Sequence, residues 1–309
     1  MRKSPAAVGV AALCAVLLSG CQSSGDGTPS EPEISASPAT KTVAGVRVPV
    51  LPLDAYTVDA QQQEELDRAV DQLAQTCMKA KGYTWPARLE QLGVPRSANE
   101  RRYGVTDPEA VKVYGYQLAP PVGVTPAQLA EEARREKKRK ALMTDALTKA
   151  YTGRSGKTAA ASHTGGCRGK ALKQLGLPQG GEALTAVDLA QQQSFQRTEA
   201  DSRARAANAK WSACMKKAGY RYANPHVAAA DPAWWTKGAD PAAPNRAGAR
   251  EIATAVADVR CKRQVDYVTV WQSVETTYQH KIIAANRKEL DAVRQARRNA
   301  LRKAHEVLS

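Results

Sequence analysis

The sequence lacks most of the patterns that mark an enzyme or a metal-binding protein. It contains no C-x-x-C and no H-E-x-x-H motif, no serine in a nucleophile-elbow context, and no glycine-rich loop that opens a βαβ unit. Its histidines stand without metal-ligand spacing at His163, His226, His280 and His305. We therefore expect no catalytic residues, no bound metal and no cofactor.

Strand signals are also scarce, and helical periodicity takes their place. Residues 46–53 are interrupted by Pro49 and Pro52 and predict only an extended entry segment. Residues 249–308 contain no glycine or proline, and their apolar residues recur at steps of three and four, which predicts one long helix. Unbroken, it would approach 90 Å, so we expect it to bend or to pack against the helix that carries Cys214.

A capping box marks the start of another predicted helix. Thr125 is followed by Pro126 at the first helical position and by Gln128 at the third, and the helix is expected to run to about Tyr151. The predicted fold class is all-α, with long antiparallel helices in a bundle.

The one long apolar run stands at the N-terminus. Residues 6–18 follow Arg2 and Lys3 and lead through two small residues into Cys21. The run is too short to cross about 30 Å of hydrocarbon, which disfavours an uncleaved transmembrane helix. The pattern resembles a bacterial lipobox. It predicts a signal peptide over residues 1–20, lipidation of Cys21, and a location on the extracytoplasmic face of the cell membrane.

A segment poor in large apolar side chains follows the lipobox. Residues 21–45 are rich in serine, proline, threonine and glycine. Such a segment buries too little surface to offset its conformational entropy, so we expect a disordered tether.

The charge balance is strongly basic. The chain has 45 lysines and arginines against 30 acidic residues, and loss of Arg2 and Lys3 with the signal peptide leaves 43 basic residues, a net charge of about +13. Outside the membrane we expect no nucleic acid as a partner; the available polyanions are lipid headgroups and phosphate-bearing wall polymers. The densest basic run, residues 134–140, is either a solvated helix or a binding patch.

Four cysteines remain after Cys14 is lost with the signal peptide and Cys21 takes the lipid. They are Cys77, Cys167, Cys214 and Cys261. An even number in an oxidising compartment predicts two disulfides.

An internal duplication selects the pairing. Residues 77–85 (CMKAKGYTW) and 214–222 (CMKKAGYRY) share cysteine, methionine, lysine, glycine, tyrosine and a second aromatic at matching offsets. We infer two related halves, residues 46–180 and 181–309. If each half repeats its own bridge, the disulfides are Cys77–Cys167 and Cys214–Cys261.

The repeated motif also predicts a helix end. Gly82 or Gly219 would take the left-handed position just past the helix, with the methionine and tyrosine of each copy in contact as in a Schellman motif. A ligand-stacking platform made by the paired aromatics is the alternative.

Two regions between predicted helices are candidate sites, residues 103–116 and 224–245. The aromatic residues in question are Tyr114, Tyr116, Trp234 and Trp235. They either cap the bundle core or line a groove for an amphipathic or glycan ligand.

The lipobox, the paired C-M-x-x-x-G-Y-x-aromatic units and residues 251–262 resemble uncharacterised lipoproteins of high-GC Gram-positive (actinobacterial) species. The resemblance implies no particular activity and carries no functional residues. We expect a non-enzymatic binding or interaction protein with an unknown ligand or protein partner. The alternatives are a wall-modifying enzyme, whose two acids can lie far apart in sequence, and a membrane-surface scaffold that uses its basic helices.

Overall fold

Helices make up most of the chain. The structure is a computed structural model that describes residues 31–34, 37–43, 45–94, 96–154, 165–178, 185–235 and 247–309. The predicted signal peptide and Cys21 lie outside these residues. In the described part, no helix is both long enough and apolar enough to cross a bilayer. Residues 32–309 form a single structural unit.

The helices, in chain order, are α1 (Ala60–Ala80), α2 (Pro108–Tyr114), α3 (Pro126–Ala141), α4 (Asp145–Thr152), α5 (Gly166–Leu175), α6 (Ala186–Ala200), α7 (Ser202–Lys217), α8 (Pro225–Ala229), α9 (Ala249–Gln264), α10 (Tyr267–Ala285) and α11 (Arg287–Leu308). Two short 3-10 turns span Pro52–Tyr56 and Pro232–Trp234. The all-α prediction is confirmed, with one two-stranded hairpin in the described residues.

That hairpin corrects the predicted tether. Strand β1 (Ala39–Val43) pairs antiparallel with β2 (Val46–Val50). The amide of the Gln272 side chain donates to the carbonyls of Ala39 and Val50, at 2.5 and 3.2 Å. Further upstream, Arg203 donates to the carbonyl of Pro32 at 2.9 Å. The folded body therefore begins near residue 32 and not at residue 46, because backbone pairing supplies what the small side chains cannot.

Both copies of the repeated motif end a helix in the predicted way. Tyr83 N–H donates to the carbonyl of Met78 at 3.0 Å, and Tyr220 N–H donates to that of Met215 at 2.9 Å. The glycines between them, Gly82 and Gly219, have φ of 78° and 91°. These are the bonds of a Schellman motif, and both methionines are buried.

Breaks divide the two predicted helices, the one from residue 126 and the one over residues 249–308, and a further break separates α6 from α7. Thr144 accepts from Leu147 N–H and starts α4, so the helix from residue 126 does not continue to Tyr151. Asp201 accepts from Arg203 N–H and separates α6 from α7. Asp266, at φ 52°, and Asn286 divide residues 249–308 into α9, α10 and α11. Aspartate tolerates the left-handed conformation better than most residues, so no glycine is needed there.

The predicted disulfides are present. Cys77–Cys167 joins α1 to α5 with Cα atoms 5.5 Å apart, and Cys214–Cys261 joins α7 to α9 with Cα atoms 5.7 Å apart. Each half thus contains one bridge between the repeated helix end and a later helix.

The two halves share their cores. Ala300 and Ala304 of α11 pack into the cluster formed by α1, α4 and α5 of the first half. In return, Tyr103 and Tyr116 from the first half pack with Trp211 in the cluster around the second disulfide. Residues 249–308 thus contribute to both clusters, with α9 and α10 in one and α11 in the other.

Removal of either disulfide should destabilise the fold. The bridged cysteines are 90 and 47 residues apart, and the chain-entropy model gives a loss on the order of 4 kcal/mol for loops of these lengths. We expect the pairs Cys77→Ala/Cys167→Ala and Cys214→Ala/Cys261→Ala each to lower the free energy of unfolding measured by urea denaturation. Unchanged midpoints would contradict the role given to the bridges.

Candidate functional site

The aromatic residues proposed for one groove occupy different environments. Trp234 is buried, stacks against Tyr116 with ring centroids 6.0 Å apart, and donates its indole N–H to the carbonyl of Ala228 at 2.7 Å. Trp235 is 50% exposed. Tyr114 lines a separate, narrow depression beside Asp107. Trp234 and Tyr116 therefore cap the core, and the four residues do not form a common surface.

The two predicted inter-helix regions nevertheless meet at a depression of about 370 Å3, which we call the Trp235 depression. The first region contributes Gly104, Val105 and Tyr116. The second contributes His226 and Trp235. The fold thus brings together candidate segments that are more than a hundred residues apart.

Beneath this depression lies a buried ion pair. Lys262 Nζ is 3.1 Å from Asp258 Oδ2 and donates to the carbonyl of Val105 at 2.9 Å. Asp258 Oδ1 accepts from the indole N–H of Trp211 at 2.9 Å. A Cβ on Gly104 would stand 2.8 Å from Lys262 Nζ, so glycine allows the ammonium to reach this place. The pair attaches the 104–105 segment to α9.

Burial dominates the proton equilibria of this cluster. It raises the pKa of the Asp258 carboxyl and lowers the pKa of the Lys262 ammonium, and the attraction between the two groups opposes both shifts. The pKa of His226 is lowered by burial and by the positive charges of Lys262 and Arg102, so the ring is neutral near pH 7. Its Nε2 atom is buried without a hydrogen-bond partner in the structure.

The Tyr116 hydroxyl completes the cluster. It makes no hydrogen bond of normal geometry, yet it lies close enough to the Asp258 carboxylate for burial and this negative charge together to raise its pKa. The neutral phenol of Tyr116 and the neutral imidazole of His226 are suited to hydrogen-bond a polar group of a ligand. The Asp258–Lys262 ion pair is instead engaged in contacts within the protein.

A larger groove follows α1 in the first half, and we call it the α1 groove. It has a volume of about 650 Å3, within the range of small-ligand sites. Its walls are one side of α1, the returning segment 83–90, and Leu308 at the end of α11. The sequence alone did not identify it, because these three segments meet only in the folded chain.

Aromatic rings form one wall of the α1 groove. Tyr83 is 37% exposed along it. Trp85 also lines it and stacks on Tyr151, with ring centroids 3.7 Å apart and planes 7° apart. This stacking fixes the orientation of the Trp85 ring at the groove wall.

Polar side chains of α1 form the opposite wall. Gln75 donates to Asp71 Oδ2 at 2.5 Å, and Gln72 donates to the carbonyl of Val307 at 2.8 Å. Arg88 forms a bidentate ion pair with Glu64, at 2.5 and 2.6 Å, which raises the pKa of the guanidinium. This pair ties the returning segment to the start of α1.

The charges that line the α1 groove balance. Three cations and three carboxylates face it: Arg68, Lys79, Arg88, Glu64, Asp71 and Glu90. A groove of this kind does not favour a polyanion and suits a neutral, polar ligand.

The aromatic residues of the second copy of the repeated motif lie in a different environment. Tyr220 and Tyr222 pack against the core cluster of the second half. The Tyr222 hydroxyl donates to Asp231 at 2.7 Å, and the backbone carbonyl of Tyr222 accepts from the Ser212 hydroxyl. The two copies differ at the tyrosine, because Tyr220 packs on its core cluster while Tyr83 is 37% exposed; Trp85, like Tyr222, packs against a core cluster.

Neither site offers a metal centre. Within the described residues, no group of three or more histidine, cysteine, aspartate or glutamate side chains could hold a metal ion. Comparison of the chain with protein-family models, with curated proteins and with solved structures finds no match.

Replacement of Lys262 tests the buried ion pair. Lys262→Met leaves Asp258 buried without its counter-ion, and we expect a loss of about 3–5 kcal/mol in the free energy of unfolding at neutral pH. Without the lysine, the folded-state pKa of Asp258 rises further above the unfolded value of about 3.9. Stability is then greatest below that value and falls as the pH rises towards the folded-state pKa.

Urea denaturation between pH 4.5 and 7.5 measures this dependence. The exposed Lys281→Met on α10 is the matched control and should leave stability within about 0.5 kcal/mol of the parent protein. A double variant with Asp258→Asn should lose the added pH dependence. A Lys262→Met protein whose loss is the same at every pH would refute the account.

Proposed function

We propose that the protein is a lipid-anchored, non-enzymatic binding protein on the extracytoplasmic face of the cell membrane. We further propose that the α1 groove binds the glycan of the cell wall. The observation that carries the binding proposal is the open end of the first repeated motif, where Tyr83 and Trp85 line a groove of about 650 Å3.

The N-terminal sequence supports the location. Residues 6–18 followed by Ser19, Gly20 and Cys21 form the lipobox-like pattern. Two disulfides of long loop length are typical of proteins that fold in an oxidising compartment. The proposed extracytoplasmic location and the two disulfides therefore agree with each other.

The composition of the α1 groove supports a sugar ligand. An aromatic ring such as Tyr83 can pack against the apolar face of a pyranose. The amides of Gln72 and Gln75 and the hydroxyl of Thr76 supply donors and acceptors for sugar hydroxyls. Because the charges that line the α1 groove balance, a neutral glycan suits it better than a phosphate-bearing wall polymer.

Binding is favoured over hydrolysis by what the acids of the groove contact. Glu64 is held by both terminal nitrogens of Arg88, and Asp71 accepts from Gln75. A glycosidase needs one carboxyl that donates a proton and a second that acts as nucleophile or base. Carboxylates committed to such contacts are poor candidates for either role.

Replacement of Cys21 tests the anchor. We expect Cys21→Ser to move the protein from the membrane fraction to the soluble extracytoplasmic fraction, because acyl chains on this residue provide the proposed membrane attachment. Mass spectrometry of the mature N-terminus should find acylated Cys21 in the parent protein. Recovery of an intact, unacylated N-terminus would contradict the proposed location.

Replacement of Tyr83 tests the groove. The Tyr83 backbone N–H caps α1, and Tyr83→Ala preserves that bond while removing the ring, so the fold should remain. We expect co-sedimentation with purified peptidoglycan to weaken by roughly fivefold to a hundredfold, equivalent to about 1–3 kcal/mol, by analogy with loss of one stacking ring.

Trp235→Ala is the control for this experiment, because Trp235 is an exposed aromatic residue outside the α1 groove. It should leave co-sedimentation unchanged. A loss with Trp235→Ala and none with Tyr83→Ala would transfer the proposed site to the Trp235 depression.

A further inference from the structure

Helix α3 holds the densest basic run of the chain. None of its 16 residues is buried. The half-buried positions lie on one side of the helix, at Leu129, Ala130, Glu132, Ala133, Glu136 and Arg139. Their spacing of one to four residues marks the side that faces the protein, and the rest of the surface faces outward.

The outward side of α3 carries a concentrated positive charge. We define the α3 outer face by four of the five exposed cations of the helix: Arg134, Arg135 and Lys138 on the outward side, and Lys137 at its edge. The fifth, Lys140, lies 3.7 Å from Glu136 on the half-buried side. The one acid of the outer face, Glu131, is paired with Arg134 at 2.8 Å. Arg139 instead pairs with Glu136 on the half-buried side. The sorting of charges between the two sides is what the sequence could not show, since a run of adjacent residues points all round a helix.

An exposed apolar side chain completes this face. Leu142 caps the C-terminus of α3 and is 63% exposed. It lies four residues after Lys138 and seven after Arg135, on the same side of the helix. A leucine surrounded by cations is typical of helices that lie on anionic membranes, where the apolar group enters the headgroup region. A soluble polyanion offers no comparable place for it.

The length of the anchor segment limits how far the start of the folded body can be from the bilayer. The folded body begins near Pro32, which leaves residues 22–31 between the body and Cys21. Ten residues fully extended span at most about 36 Å. If Cys21 is lipidated as proposed above, the start of the body is held within this distance of the lipid surface.

We propose that the α3 outer face docks onto anionic phospholipid headgroups of the membrane that anchors the protein. Docking fixes the orientation of the body on the bilayer, whereas the lipid alone fixes only its distance. This inference rests on the proposed location but not on the proposed glycan ligand.

Vesicle sedimentation of the unlipidated chain 22–309 tests the face without the anchor. The probes are vesicles of phosphatidylcholine alone and vesicles in which about a third of the lipid is phosphatidylglycerol. We expect binding only to the anionic vesicles and a steep loss when the salt concentration is raised about fivefold. The variant Arg134→Gln/Arg135→Gln/Lys137→Gln/Lys138→Gln should bind roughly tenfold or more weakly.

Helix α11 supplies a matched control. Arg287→Gln/Lys288→Gln/Arg298→Gln/Arg302→Gln removes the same four charges from exposed positions, and Arg302 is paired with Glu306 as Arg134 is with Glu131. This control should bind at least several times more tightly than the α3 variant. Leu142→Ser should weaken binding without changing the net charge. Because α3 has no buried residue, circular dichroism should show that all these variants are folded.

Several results would overturn the proposal. Equal losses in the α3 and α11 variants would mean that only net charge matters. Binding to a soluble phosphate-bearing wall polymer, with none to anionic vesicles, would assign the face to that polymer. Acylation of Cys21 is measured separately by mass spectrometry. If Cys21 of the native protein is acylated but the unlipidated chain 22–309 does not bind anionic vesicles, the docking face is rejected and the anchor stands.

Discussion

The cross-linked helix end in the first half is the constraint on which the α1 groove depends. Gly82 adopts φ 78° and reverses the chain, while Cys77 fixes the same turn of α1 to α5. The chain then runs back along α1 as far as Arg88. Arg88 forms an ion pair with Glu64, which lies 24 residues earlier in the chain, and this pair closes the loop. The space between this returning segment and α1 is the groove, so its position follows from how the helix ends.

The repeated motif gives the chain two such helix ends, and their tyrosines differ in packing. The second end packs its tyrosines on the core that contains Trp211 and the Cys214–Cys261 bridge. That core also receives Tyr103 and Tyr116 from the first half, held by the 104–105 segment and its contact with Lys262. Residues of the first half thus pack in the core cluster beside the second helix end, while Tyr83 at the first end remains 37% exposed.

The features that the sequence predicted are local or repeated in the chain. The features that it missed depend on residues that are far apart in the chain. Helix ends, caps and disulfide pairing were predicted because glycine, proline and the repeated motif report local or duplicated structure. A bend in residues 249–308 was one of two expectations, but the positions of the breaks at Asp266 and Asn286 were missed. The β1–β2 hairpin was also missed, since it depends on the distant Gln272 amide. The α1 groove was missed because Leu308 reaches Tyr83 only in the folded chain, although the aromatic pair of the motif was a signal for it.

Hydrogen exchange of the intact protein with soluble peptidoglycan fragments is the most direct measurement of the central claim. Ligand bound between Tyr83 and the polar side of α1 should slow amide exchange over residues 82–90 and in the middle of α1. Amides around Trp235 should exchange at the rate of the free protein. Protection confined to the Trp235 depression, or no protection at saturating fragment, would contradict the account.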